Sequence, residues 1–175
     1  MRNVEIKAKI ADLDRICQIA EKLSGGQATI IKQEDNFYKV NEGRLKMRFY
    51  GDSSATLVRY SRDDQKGPKF SDYDLLHFSV AESQKAKLLD DMLKKSVGLR
   101  GKVAKTRRLY MLGQTRIHVD TVTDLGDFME LEVVLQPEQT VAEGEQIARL
   151  LQVKLEVKDE DLIDCAYMDM LEEKQ

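Results

Sequence analysis

The chain has 175 residues, 42% of them hydrophobic, which suits one domain, residues 1–175, with a core of its own. Charged side chains make up 34%, but 28 basic residues nearly cancel 31 acidic ones, and a net charge of −3 sets up no field that would gather nucleic acid or an acidic membrane. No apolar run is long enough to span a bilayer, no apolar leader follows Met1-Arg2-Asn3, and Cys17 and Cys165 are too few and too far apart for a disulfide framework; a cytoplasmic location is expected.

In chain order, residues 3–10 alternate, with Val4, Ile6, Ala8 and Ile10 on one face and Asn3, Glu5, Lys7 and Lys9 on the other, which predicts a strand. Asp12 is placed to cap a helix carrying Leu13, Ile16, Ala20 and Leu23, ended by Gly25-Gly26. Strands follow at 29–40, 44–51, 55–62 and 70–80, separated by turn signals at Asn41-Glu42-Gly43 and Gly51-Asp52-Ser53-Ser54 and by a loop holding Gly67-Pro68. A helix is predicted from Ser83 to Val97, with Ala86, Leu89, Leu93 and Val97 inward and Gly98 behind it. Three more strands are expected at 101–111, 115–121 and 128–136, the first two joined by Gly113-Gln114. Helices at Val141–Leu151 and Glu160–Leu171, the second capped by Asp159, close the chain. Eight strands joined mostly by short turns predict an α+β fold dominated by antiparallel pairing, and eight is the number that closes into a barrel with room for one small ligand.

Several strands carry charge on one parity. The first offers Glu5, Lys7 and Lys9, the third Arg44, Lys46 and Arg48, the sixth Lys105 and Arg107, the seventh Arg116, His118 and Asp120, and the eighth Glu130 and Glu132. One reading puts these charges in water on the outer face of a sheet. The other turns the barrel inside out, so that the apolar faces lie under the amphipathic helices and the charges line a lumen. Clustered carboxylates there would suit a hard dication such as Mg²⁺ or Mn²⁺, and clustered Lys and Arg would suit phosphate oxygens.

The ordered set of motifs resembles the CYTH superfamily of triphosphate tunnel metalloenzymes. Asn3-Val4-Glu5-Ile6-Lys7 is similar to its opening Glu-x-Glu-x-Lys, Leu45-Lys46-Met47-Arg48 to its basic strand, Lys105-Thr106-Arg107 to its later basic pair, and Asp120 with Glu130-Leu131-Glu132 to its acidic strands. Leu125-Gly126-Asp127-Phe128 and the length look most like the class IV adenylyl cyclase branch. The resemblance implies a closed eight-stranded antiparallel tunnel with helices outside and Mg²⁺ or Mn²⁺ as cofactor. It implies Glu5, Asp120, Glu130 and Glu132 as metal ligands, and Glu5, Asp120 and Lys7 in catalysis. Lys7, Lys9, Lys46, Arg48, Lys105 and Arg107 would hold the phosphate chain, with Arg59 from the fourth strand. Arg59 and Arg62 have opposite strand parity, so only one of them faces inward. ATP converted to cyclic AMP and pyrophosphate is the implied reaction. The alternatives are a phosphohydrolase acting on tripolyphosphate or thiamine or nucleoside triphosphates, and a non-catalytic triphosphate-binding module. A monomer or homodimer is expected, with neither nucleic acid nor membrane as partner. The sequence departs from the family pattern at Asn3, where an amide replaces a carboxylate and weakens one of two metal positions.

Overall fold

Alternation at the N-terminus becomes strand β1 (Arg2–Lys9), which hydrogen-bonds to two distant segments at once. The computed structural model describes residues 2–174. After helix α1 (Leu13–Ser24) come β2 (Thr29–Tyr38), β3 (Arg44–Tyr50), β4 (Ala55–Arg62) and β5 (Lys69–Phe78). Helix α2 (Ser83–Ser96) leads into β6 (Leu99–Leu112), β7 (Thr115–Val122) and β8 (Gly126–Val134). Helix α3 (Val141–Lys154) and the short α4 (Tyr167–Glu172) complete it. The strands close in the order β1-β5-β4-β3-β2-β6-β7-β8, every pair antiparallel. The predicted closed barrel is what forms.

Helices α1, α2 and α3 start where the sequence says, but α3 runs on to Lys154, and Val97, expected in the buried stripe of α2, lies just past its end and is exposed. The Asp12 side chain accepts from the Arg15 amide, Gly25 takes the left-handed conformation (φ 72°) that favours glycine, and Thr140 and Glu143 form a reciprocal cap on α3. The apolar parity of β1, β3, β7 and β8 faces out. Val4, Ile6 and Ala8 of β1, Ile117 and Val119 of β7, and Met129, Leu131 and Val133 of β8 are buried beneath α1 and α3. Tyr38, Met47 and Ala55 lie beneath Ala86, Leu89 and Leu93 of α2. Burying each such large side chain is worth about 1.5–3 kcal/mol. That gain is what lets the charged parity turn inward. Gly144 permits close approach at α3: a Cβ there would lie 2.8 Å from Val4 Cγ2 and 2.6 Å from Leu135 Cδ2.

The predicted last helix is different. Asp159–Asp161 make only a 3₁₀ turn, and the helix begins after Ala166, not Asp159. Tertiary contacts override the helical pattern. Leu162 bridges to Ala8, the Ile163 amide donates to the Lys7 carbonyl, and the Ile163 and Asp164 carbonyls accept from the fully buried Lys69 ammonium. The chain thereby runs across one end of the barrel and drops α4 into it.

Candidate active site

Inward parity gives the barrel a cavity of about 290 Å³ with three zones. Its floor is apolar: Phe37, Val103, Val122, Leu125 and Phe128 cluster with Tyr167 and Met168 of α4. The Tyr167 ring lies 5.0 Å from that of Phe128, and its hydroxyl donates to Asp120 Oδ2 at 3.2 Å. Its mouth is edged by Ile31, Tyr50, Leu75, His77 and Leu109. Between them runs a charged band.

Seven cations line the cavity, namely Lys7, Lys46, Arg48, Arg62, Lys105, Arg107 and Arg116, against four carboxylates, Glu5, Asp35, Glu130 and Glu132, an excess of three positive charges. Asp35 of β2, 1% exposed, ties three of the cations together: it accepts from Arg48 Nε at 2.7 Å, Lys46 Nζ at 2.9 Å and Lys105 Nζ at 3.1 Å. Burial works against its ionised form, but Arg48, then Lys105 and Lys46, outweigh it and hold the Asp35 carboxyl well below the usual carboxylate range. The crowding also acts on the cations. Burial, then Arg48, pushes the Lys46 ammonium down to about 7, and Lys105, buried and beside Arg48 and Arg107, is lowered to about 8.

The carboxylates occupy the opposite wall. Arg107 makes a bidentate pair with Asp120 at 2.7 and 2.6 Å and reaches Glu130 at 2.8 Å. Arg116 Nε donates to Glu132 at 2.8 Å, and Arg62 pairs with Glu5. Lys7 Nζ sits 3.5 Å from Glu130 and 4.1 Å above the Tyr167 ring. Despite burial, Lys7, with His118 and Arg107, keeps the Glu130 carboxyl well below its ordinary value. Glu132 is buried too, and His118 and Arg116 lower it. Glu130, Glu132 and His118 bring one ligand atom each within 4.8 Å of one another. Among the described residues the buried Nδ1 of His118 has no hydrogen-bond partner. Two carboxylates and an imidazole nitrogen form a donor set that fits a divalent cation.

Of the residues read from the sequence, Glu5, Lys7, Lys46, Arg48, Lys105, Arg107, Glu130 and Glu132 line the cavity together. Lys9 does not: β1 passes the floor before reaching it, and the side chain is exposed. Arg59 is outside too, pairing with Asp72 and Asp74 on the surface with 46% of its side chain exposed, while Arg62, at 2%, is the one that enters. Asp120 is fully buried behind Arg107 and Tyr167, apart from the group of possible ligands. Asp35, Arg62, Arg116 and Tyr167 were not picked out as site residues. Arg62 had a usable signal, since Ala55 and Leu57 of the opposite parity are the apolar face that α2 covers.

The CYTH domain family model matches residues 1–167. The fold is shared with solved structures of low sequence identity. One is the PH1012 protein of Pyrococcus horikoshii, with TM-score 0.78 and 23% identity over 95% of this chain and 98% of that one. Another is a candidate adenylate cyclase of Vibrio parahaemolyticus, with TM-score 0.74 and 14% identity over 97% of each. A third is the Pct1 RNA triphosphatase of S. pombe, with TM-score 0.52 and 12% identity over 87% of this chain and 77% of that one. No curated protein matches the chain. With a family match running from the first strand to the residue that floors the barrel, the chain belongs to the CYTH domain family.

Proposed function

We propose that this chain is a divalent-metal-dependent enzyme that works on a triphosphate, with ATP as substrate and cyclic AMP and pyrophosphate as products. The observation that supports the triphosphate reading best is the excess of three positive charges in a cavity floored at one end. A triphosphate carries roughly four negative charges, and paired Lys and Arg side chains give it short charge-assisted contacts in a site that excludes water. Lys46, Arg48 and Lys105 would release Asp35 to hold phosphate oxygens, and Lys7 and Arg107 would do so from the neighbouring wall. A divalent ion held by Glu130, Glu132 and their neighbours would, when bound, neutralise charge that develops on the leaving oxygens.

The mouth favours an organic group on the triphosphate. Ile31, Tyr50, Leu75 and Leu109 offer an apolar collar that bare tripolyphosphate would not use. Cyclisation forms a bond between the ribose 3′ oxygen and the α-phosphorus and breaks the α–β bridge, and pyrophosphate leaves. The hydroxyl proton passes to a carboxylate. Glu5 of β1, outside the Glu130–Glu132–His118 group of possible ligands, is the candidate for it, and Asp120 acts by holding Arg107. A second reading has its own support. The cavity, about 290 Å³, lies at the small end for ligand sites, which suits a short polyphosphate hydrolysed by water. Free thiols at Cys17 and Cys165 suit a reducing cytoplasm.

The test is an end-point assay with Mg²⁺ or Mn²⁺ against ATP, thiamine triphosphate and tripolyphosphate. Cyclic AMP with pyrophosphate supports the cyclase. Orthophosphate alone replaces it with a hydrolase. Binding without product makes the chain a triphosphate-binding module, and neither binding nor product overturns the triphosphate reading.

A further inference from the structure

His118 lies on β7 directly across from Glu130 on β8, and both side chains face the lumen. Directly paired residues have Cβ atoms about 4.5–5.5 Å apart, so an imidazole there meets its neighbour's carboxylate head-on. His118 is 3% exposed, yet its Nδ1 has no hydrogen-bond partner among the described residues. The nearest carboxylate oxygens are those of Glu130 at 3.6 Å and Glu132 at 3.8 Å, both beyond hydrogen-bonding reach. A buried nitrogen left unpaired while aimed at two carboxylates is costly if nothing ever satisfies it. One dication satisfies all three groups. With bonds of about 2.1 Å, its ligand atoms stand about 3–4 Å apart, and the three donor atoms here already lie within 4.8 Å of one another.

The groups that pair with these two carboxylates are cationic. Arg107 holds Glu130 at 2.8 Å and Arg116 holds Glu132 at 2.8 Å, while Lys7, at 3.5 Å from Glu130, is the loosest and already rests against the Tyr167 ring. Besides Lys7, β1 turns the amide of Asn3 and the Arg62-paired Glu5 into the lumen.

We infer that His118 Nδ1, with Glu130 and Glu132, forms a metal seat that takes a first-row transition dication of the Mn²⁺ class in preference to Mg²⁺. The preference follows from ligand type: Mg²⁺ takes oxygen and gives up its waters reluctantly, whereas transition dications accept imidazole nitrogen. This rests on the divalent-metal reading above but is tested separately from it.

Wild-type protein with one equivalent of Mn²⁺, with and without tripolyphosphate, is measured by pulsed electron paramagnetic resonance for nitrogen coupling, with ¹⁵N-histidine incorporated in a second sample. A nitrogen coupling that changes with the ¹⁵N label, at least tenfold tighter binding of Mn²⁺ than of Mg²⁺, and loss of both in His118→Gln are expected. His77→Gln, at the mouth, should change neither. Bound Mn²⁺ with no histidine coupling overturns the inference, as does a wild-type protein that takes up no Mn²⁺ at millimolar concentration. If His118→Gln does not fold, the wild-type spectra decide alone. Calorimetry with tripolyphosphate in the absence of metal tests the triphosphate reading independently, so each can fail without the other.

Discussion

Replacing Asp35 with Asn removes one negative charge and almost no volume from the centre of the cationic band. Asp35 accepts four charge-assisted hydrogen bonds from Lys46, Arg48 and Lys105. Without it those three buried cations face each other with no counter-charge nearby. Breaking a buried ion pair by removing one partner costs about 3–5 kcal/mol. For a protein of this size, 1 kcal/mol moves the melting temperature by about 2–4 °C, so Asp35→Asn should melt about 6–20 °C lower. Tripolyphosphate supplies the missing negative charge, and the variant no longer has an internal carboxylate competing for the same three donors. It should therefore bind tripolyphosphate more tightly than the wild type and recover more of its stability with it. Thermal unfolding in chelator, with and without 1 mM tripolyphosphate, reads both effects. A variant that melts within about 1 °C of wild type, or equal tripolyphosphate shifts in both proteins, would refute the view that Asp35 stands in for a phosphate.

Other expectations follow from the same geometry. Lys46 and Lys105 titrate at about 7 and about 8 because burial and neighbouring cations oppose their charge, and a polyphosphate favours the protonated forms. Binding should be strongest below pH 7 and weaken as pH rises through these values, with proton uptake visible as buffer-dependent heats; affinity that does not change between pH 6 and 9 contradicts it. Glu130→Gln or Glu132→Gln should cut metal-dependent turnover at least tenfold in protein that is still folded at the assay temperature, as read from initial rates at saturating metal. Arg62→Ala should weaken triphosphate binding and Arg59→Ala should leave it within about twofold, because the first enters the lumen and the second pairs on the surface; calorimetry on the two variants compares them directly.

The barrel was legible because its strands keep a strict two-residue period over long runs. Val4, Ile6 and Ala8 against Asn3, Glu5 and Lys7 can be satisfied only by burying one face under helices, and β7 and β8 repeat the pattern. Alternation does not say where along a strand the lumen ends. Lys9 shares parity with Lys7, but it lies two residues further on, opposite Phe128 of the floor, and so falls outside the charged band. In β2 the inward residues Gln33 and Asp35 and the outward Lys32 and Glu34 are all polar, so the acid that organises the cations gave no contrast to read. Tyr167 was hidden for another reason. Its place in the floor depends on the preceding segment being pinned by Lys69 and by β1, contacts between residues far apart in sequence. The acid cluster likewise divides by partner: Glu5 goes to Arg62 and Asp120 to Arg107, which leaves Glu130 and Glu132 with His118.

Every lumenal carboxylate already has a cationic partner, and this makes binding an exchange. Glu5 pairs with Arg62, Asp35 with Lys46, Arg48 and Lys105, Glu130 with Arg107 and Lys7, and Glu132 with Arg116. A triphosphate that enters alone can draw the cations away only by leaving buried carboxylates unpaired, and a dication that enters alone must displace cations that then have no anion. Entering together, they replace each internal pair with two new ones, so no buried charge is stranded. The two should bind with positive coupling of about 1–3 kcal/mol, each tightening the other by the same factor, after correction for their complexation in solution. A thermodynamic cycle of Mn²⁺ and tripolyphosphate titrations, each performed in the absence and presence of the other, measures it. In Glu130→Gln the carboxylate that Arg107 and Lys7 release is already neutral, so the coupling should shrink while metal-free tripolyphosphate binding strengthens. Independent affinities in the wild type would show that the internal ion pairs survive when ligands bind, and that the charged band acts as scaffold rather than as the binding surface.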